Sequence, residues 1–318
     1  MTWTWAEPFA GAAACALRLV GGPGLTPPVA WMGGKRRLAH EIVDAMGVPE
    51  GPPSRVLLAD AGPWGWVWPL LLAPASAADV ARVLRSWAGE HPRDLWQRLA
   101  AVPPAEDLHE RAAQWLWLQA RAPSGVPVWF EDWRWVSGNG KPATDRGEDM
   151  RWPGHQALRA TWRMGEEFAK SRRGDRTISQ AGTARGREST LTTSLIGDRL
   201  EAIADAFRGV LATVHHGSAA ECGEAHRRAA LPMLPTHGGW WVYIDPPYVG
   251  ATGYGWTLPR AEVLALARRW HEAGAVVAVS EAEPLTLDGW HHVKLTREGG
   301  KPEWLTLSRE PGEYRAWA

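Results

Sequence analysis

Trp240-Trp241-Val242-Tyr243-Ile244 runs directly into Asp245-Pro246-Pro247-Tyr248. The first five residues are aromatic or β-branched, the composition of a buried strand, and two consecutive prolines cannot continue a hydrogen-bonded ladder. The strand must end in a stiff turn that presents an acid and an aromatic ring. Proline carries no N–H, so the turn is rich in carbonyls with no donors of its own. A flat polar ring beside it would meet one acceptor on Asp245, a second on the Pro246 carbonyl and a stacking face on Tyr248. Those are the contacts that an exocyclic amine on a nucleobase requires. Taken alone, the tetrapeptide also reads as an ordinary turn with an exposed acid.

Two further strand ends carry candidate residues. Trp3-Thr4-Trp5-Ala6-Glu7 reads as a first strand, and Pro8-Phe9-Ala10-Gly11 turns the chain into a small-residue helix from Ala12 to Val20, stopped by Gly21-Gly22-Pro23-Gly24. A strand, a glycine turn and such a helix bring backbone N–H groups close to a ligand. Many α/β proteins have such a turn without one. Arg55-Val56-Leu57-Leu58-Ala59 reads as a second strand ending at Asp60. An acid there receives ribose hydroxyls in this fold class, or else caps the next helix. Between them lies Trp31-Met32-Gly33-Gly34-Lys35, followed by helical periodicity from Arg36 to Met46. A nucleoside-triphosphate loop is not expected, because the leading glycine is missing and no Ser or Thr follows the lysine.

The remaining chain predicts an α/β protein. Trp64 to Ala120 reads as several helices; Leu195 to Phe207 and Pro259 to Ala273 are further helices; Val210 to Val214 and Ala275 to Ser280 are strands. Trp290–Leu295 and Glu303–Ser308 predict a closing hairpin, an antiparallel addition to a mostly parallel sheet. From Arg121 to about Thr193 periodicity fades, and Lys141, Lys170, Arg172, Arg173, Arg176, Arg185 and Arg187 accumulate. Such a basic, loop-rich insertion is where phosphate contacts would be found, with a solvated linker as the alternative. The expected organisation is one catalytic domain over 1–119 and 195–318, with a recognition region inserted over 120–194.

Composition excludes more than it assigns. Lys plus Arg number 35 and Asp plus Glu number 35, so any basic surface is local and the overall charge favours neither nucleic acid nor membrane. The two cysteines, Cys15 and Cys222, lack ligand spacing, and His215-His216 has no second cluster, so no metal and no disulfide are expected. Most of the 22 tryptophans lie at helical or alternating spacing and read as packing. The apolar stretch Ala12 to Leu17 has no preceding basic residue and is short for a membrane span, so a cytoplasmic protein is expected, with no membrane partner, as a monomer or weak dimer.

Glu7-Pro8-Phe9-Ala10-Gly11, Trp31-Met32-Gly33-Gly34-Lys35, Asp60 and Asp245-Pro246-Pro247-Tyr248 together resemble the Dam-type (alpha-group) family of amino DNA methyltransferases. Ala113 to Arg121 with Gly125, Asn139, Gly140 and Lys141 is weakly similar to that family's entry into its target-recognition region, and Lys301-Pro302-Glu303-Trp304-Leu305 to its final hairpin. The resemblance implies a Rossmann-like, S-adenosylmethionine-dependent methyltransferase fold acting on DNA, in restriction–modification or phage DNA modification. It implies that Glu7, Pro8, Phe9 and Gly11 form the methionine cradle, that Asp60 holds the ribose, and that Trp31 and Lys35 close over the cofactor. Asp245, Pro246, Pro247 and Tyr248 would hold a flipped adenine beside that cofactor, aiming its N6 lone pair at the methyl group. No nucleophilic cysteine is needed, and neither cysteine follows a proline as in enzymes that methylate the cytosine ring carbon.

The sequence departs from the family pattern in three places. The Gly-Gly-Lys segment follows the glycine turn, where the family has it before. Ala13 stands where a second glycine is common. Ser218 stands where an acid often faces the cofactor's adenine, with Glu221 one helical turn on. The order of motifs is compatible with one site rebuilt by changed connectivity. An N4-cytosine methyltransferase and a non-catalytic DNA-binding module that retains the fold are the alternatives.

Overall fold

The sheet is organised by what its central strands bury. In a computed structural model describing residues 2–31, 33–122, 125, 127–131, 133–137, 191–217, 239–248, 258–295 and 303–312, β1 (Thr4–Glu7), β6 (Trp240–Ile244) and β7 (Val276–Glu281) are buried along their whole length. Successive side chains of a strand point to opposite faces. Trp241 and Tyr243 accordingly join a core layer with Leu17, Ile42 and Trp64, while Trp240, Val242 and Ile244 join a second layer with Val263, Leu266 and Trp270. A sheet covered on both faces reads as continuous apolar runs, which is why these strands were legible.

The remaining strands are β2 (Arg55–Asp60), β5 (Leu211–His216), β8 (His291–Leu295) and β9 (Glu303–Leu307), besides a separate antiparallel hairpin of β3 (Val128–Glu131) and β4 (Arg134–Ser137). The large sheet has the order β5-β2-β1-β6-β7-β9-β8. β5, β2, β1, β6 and β7 are parallel neighbours, and β9 runs antiparallel between β7 and β8. This is the Rossmann-like α/β fold, mostly parallel with an antiparallel C-terminal hairpin, that the sequence predicts. The chain leaves β1 outward to β2 on one side and returns to β6 on the other. Between β1 and β6 the order reverses, and ligands of open α/β sheets bind at such a point, beyond the carboxyl ends of the strands.

The helices among the described residues are α1 (Ala14–Gly21), α2 (Ala39–Ala45), α3 (Pro63–Leu72), α4 (Pro74–Ser86), α5 (Pro92–Ala100), α6 (Leu108–Ala120), α7 (Thr193–Ala206) and α8 (Arg260–Glu272). None is long and apolar enough by itself to cross a membrane; α3 and α4, bent by 110°, pass that test only as a pair, and Trp64, Val67, Trp68 and Leu71 of α3 are fully buried in the core. The tryptophans Trp3, Trp5, Trp64, Trp68, Trp115, Trp117, Trp240, Trp241 and Trp270 are likewise among the largest fully buried side chains.

The expected loop after Arg121 contains the β3–β4 hairpin instead. Trp115 donates its indole N–H to the Val128 carbonyl at 2.7 Å, and Trp135 donates to Val102 at 2.9 Å, so aromatic anchors hold these short strands where the composition further along suggested none. The Arg121 guanidinium donates to the Leu191 carbonyl at 2.6 Å, drawing together the two ends of the segment 122–190. The proposed phosphate contacts at Lys141, Arg172, Arg173, Arg176, Arg185 and Arg187 lie outside the described residues, as do Ser218, Glu221 and Cys222.

Gln119 ties three of these pieces together and is fully buried. Its amide donates to the Ala30 carbonyl at 3.1 Å and the Gly125 carbonyl at 3.2 Å, while its oxygen accepts from the Val128 N–H at 2.9 Å. Gln119→Leu keeps the volume and leaves those backbone groups without partners, each at about 1–3 kcal/mol. Urea unfolding should show a loss of about 3 kcal/mol or more. A variant within about 0.5 kcal/mol of the wild type, the usual range for an uninvolved surface position, would contradict this role.

Candidate functional site

A cleft of about 270 Å³ opens at the carboxyl ends of β1, β2 and β6, lined among others by Glu7, Phe9, Gly11, Trp31, Lys35, Asp60, Asp245 and Tyr248. Candidate residues from four separate stretches of the sequence, with Pro246 and Pro247 among them, therefore meet in one place at the switch point.

Its floor is the glycine turn. Gly11 has a φ of 46° and Ala13 a φ of 48°, both left-handed. For an alanine that conformation costs roughly 1–2 kcal/mol, and Ala13 is 1% exposed, so surrounding packing holds it there. Trp31 lies across the turn: a Cβ added at Gly11 would sit 3.0 Å from its indole nitrogen. Trp68 fixes the turn from the core side by donating to the Gly11 carbonyl at 2.8 Å.

Asp60 at the end of β2 braces the backbone on either side of the strand end. Its Oδ2 accepts the Gly11 N–H at 3.0 Å and its Oδ1 the Gly62 N–H at 2.8 Å, joining the glycine turn to the start of α3. A carboxylate has about four acceptor positions, so the same group can still face a ligand hydroxyl in the cleft. Burial pushes its pKa up to about 6, against the pull of the N–H groups of Gly62, Gly11 and Gly65.

Glu7 at the end of β1 is 3% exposed. Its Oε1 accepts from the Trp5 indole at 2.7 Å and from the Ala16 N–H at 2.6 Å, pinning the first turn of α1. Burial raises its pKa to about 8 in spite of those two donors, with Asp245 adding to the rise. Cys15, buried in α1 beside it, has its thiol pushed well up by burial and stays a protonated packing group.

The turn after β6 is held by Lys35. Gly33 is left-handed with a φ of 77°, and the Gly34 N–H returns to the Trp31 carbonyl at 3.0 Å, leaving no room there for a Cβ. The paired glycines thus form a tight turn that delivers the lysine. Lys35 Nζ donates to Asp245 Oδ1 at 2.7 Å and to the Gly33 carbonyl at 2.9 Å, lies 3.2 Å from Glu303 Oε1, and sits 4.7 Å from the Tyr248 ring centre. The sequence expectation set Lys35 over the cofactor; its polar contacts run to the Asp-Pro-Pro-Tyr turn. Burial works against its charge, but Asp245 and Glu303 more than offset that and hold its pKa above the usual value. Burial pushes Asp245 up to about 6 against the pull of Lys35, with Glu303 and Glu281 adding to the rise.

No family model matches the sequence, and no curated protein matches it. Among solved structures the chain is similar to the rRNA methyltransferase aviRa from Streptomyces viridochromogenes, with 14% identity over 98% of this chain and 77% of that one, at a TM-score of 0.29.

Glu303, on β9, carries no assigned role in the sequence reading, although its segment was singled out as the closing hairpin. It accepts the Tyr248 hydroxyl hydrogen bond as well as facing Lys35. Tyr248 therefore uses its hydroxyl as well as its ring. Burial, then Asp245 and Glu303, push that hydroxyl far up, so it stays a donor.

Glu7 gives the site a pH signature in stability. The folded protein keeps the Glu7 proton up to about pH 8, whereas the unfolded chain releases it near the ordinary glutamate value of 4.5. The folded state binds the extra proton across that window, so stability is greatest below it and falls as pH rises through it, by up to about 1.4 kcal/mol per unit. Asp60 and Asp245 act with the same sign only up to about 6. Glu7→Gln should flatten the decline between pH 6 and 8 in urea unfolding at constant ionic strength. Parallel slopes for variant and wild type would contradict it.

Proposed function

We propose that the chain is an S-adenosylmethionine-dependent methyltransferase acting on the exocyclic amine of a flipped nucleobase, the N6 amine of adenine in DNA. The observation that carries this reading is the 2.7 Å pair between Lys35 and Asp245, 210 residues apart, which sets the Asp-Pro-Pro-Tyr turn against the glycine turn in one cleft. The Ala13 conformation supports a working site over a degenerate one, because strain is retained where a relaxed turn would serve a scaffold equally well.

The residues present fit the cofactor. An acceptor at Asp60 and the Trp31 ring across the left-handed turn at Gly11 offer ribose and stacking contacts at the switch point. When bound, S-adenosylmethionine supplies an electrophilic methyl group. Asp245 and the Pro246 carbonyl accept the two amine hydrogens and turn the nitrogen lone pair towards that methyl, while Tyr248 stacks on the base. Lys35 keeps Asp245 ionised and fixes its Oδ1. In the transfer the amine nitrogen would gain that methyl group and give up one proton, which Asp245 would accept and pass to water while the Pro246 carbonyl holds the remaining N–H. Catalysis here is positioning and charge placement. Extracting the base costs a few kcal/mol, which these contacts offset.

Incubation with labelled cofactor and mixed-sequence duplex DNA, followed by nucleoside analysis, should yield labelled N6-methyladenine. N4-methylcytosine would keep the site and change the base, and no labelled nucleoside would overturn the reading. Asp245→Ala should lower turnover by roughly a hundredfold or more, about 3 kcal/mol, with cofactor binding retained. Because the acceptor must be ionised, the wild-type rate should fall as pH drops through about 6. Wild-type turnover in Asp245→Ala would contradict the assignment.

The basic insertion is proposed to dock the DNA. Replacing Arg172, Arg173 and Arg176 by Ala should weaken DNA binding and reduce the slope of log affinity against log salt by about one for each lost contact. Cofactor affinity should not change. An unchanged slope would mean a solvated linker.

A further inference from the structure

Tyr248 and Asp245 lie on the turn after β6, yet the group that joins them comes from the other end of the sheet. Glu303 is the first residue of β9, the antiparallel strand inserted beside β7, and its side chain is 16% exposed. One oxygen, Oε1, accepts the Tyr248 hydroxyl and lies 3.2 Å from Lys35 Nζ, while Lys35 in turn holds Asp245. We infer that Glu303 is a positioning residue of the site, anchoring the Tyr248 ring through its hydroxyl and sharing Lys35 with Asp245. The inference rests on the proposed function for its consequence in catalysis, though not for its geometry.

Two effects follow from this arrangement. A tyrosine held at both ring and hydroxyl presents its face in one pose, so the ring is ordered before a base arrives. Glu303 also keeps a second negative charge near Asp245, dividing the stabilisation that one ammonium can give. The groups facing Asp245 are Lys35, Glu303, Glu281, Glu7, Cys15, Tyr243 and Tyr248. Lys35 alone among these favours the ionised carboxylate, so removing the Glu303 charge should let Asp245 ionise at lower pH.

Glu303→Gln tests this, since the amide oxygen still accepts from Tyr248 and Lys35 while the charge is gone. With aspartate labelled by ¹³C at the carboxyl carbon, and Asp245 assigned by its loss in Asp245→Asn, the wild-type resonance should titrate near about 6. In Glu303→Gln the midpoint should move to lower pH, with cooperative unfolding retained. In methyl transfer the acid limb of the pH–rate profile should move the same way. Tyr248→Phe should lower the rate, and combining it with Glu303→Ala should cost less than the product of the single losses, because both remove one contact. An unmoved Asp245 midpoint, or losses that multiply fully, would overturn the proposal. Absence of methyl transfer in the wild type would overturn the proposed function instead, and the carboxyl titration would still decide the place of Glu303.

Discussion

A buried ammonium group persists only where opposite charges and hydrogen bonds replace the water it has lost. Lys35, 7% exposed, meets that condition with Asp245, Glu303 and the Gly33 carbonyl. Remove it and two carboxylates face each other in a partly closed cleft. The pair does more than balance charge: it fixes the segment after β1 against the turn after β6, on either side of the switch point. The position of Trp31 over the glycine turn depends on the same segment, held from behind by Gln119.

Lys35 reaches the turn after β6 from a segment that lies between β1 and β2. A Gly-Gly-Lys segment needs only to place its lysine beside the turn after β6, and a chain can approach that point from either side of β1. Here the left-handed Gly33 and the close return of Gly34 to Trp31 make the approach between β1 and β2. Connectivity and site geometry are separable when the site is made at strand ends, because each strand end is fixed by the sheet and not by the route that reaches it.

The sheet was legible because β6 and β7 are buried on both faces and read as unbroken apolar runs, and because Pro246-Pro247 marks a strand end without ambiguity. The closing hairpin was legible as the two short runs Trp290–Leu295 and Glu303–Ser308 at the end of the chain's sheet. What escaped was set by tertiary contact. Glu303 is one acid among many until β9 pairs with β7 and brings it to Tyr248. Gln119 looks like a polar helix residue until three backbone groups converge on it. Lys35 was placed by family resemblance over the cofactor, and only the fold reveals the carboxylates it meets. The β3–β4 hairpin was missed because its strands are four residues each, held by indole hydrogen bonds from Trp115 and Trp135 that no local pattern announces.

The central claim is that one cleft holds the cofactor on the glycine-turn side and the target amine on the Asp245 side. A crystal structure with S-adenosylhomocysteine, the product of methyl loss, tests it most directly. The amino-acid portion should lie over Phe9 to Gly11, a ribose hydroxyl should be hydrogen-bonded to Asp60, and the sulfur should face Asp245 and Tyr248. Binding elsewhere on the chain, or no binding at millimolar ligand, would contradict it.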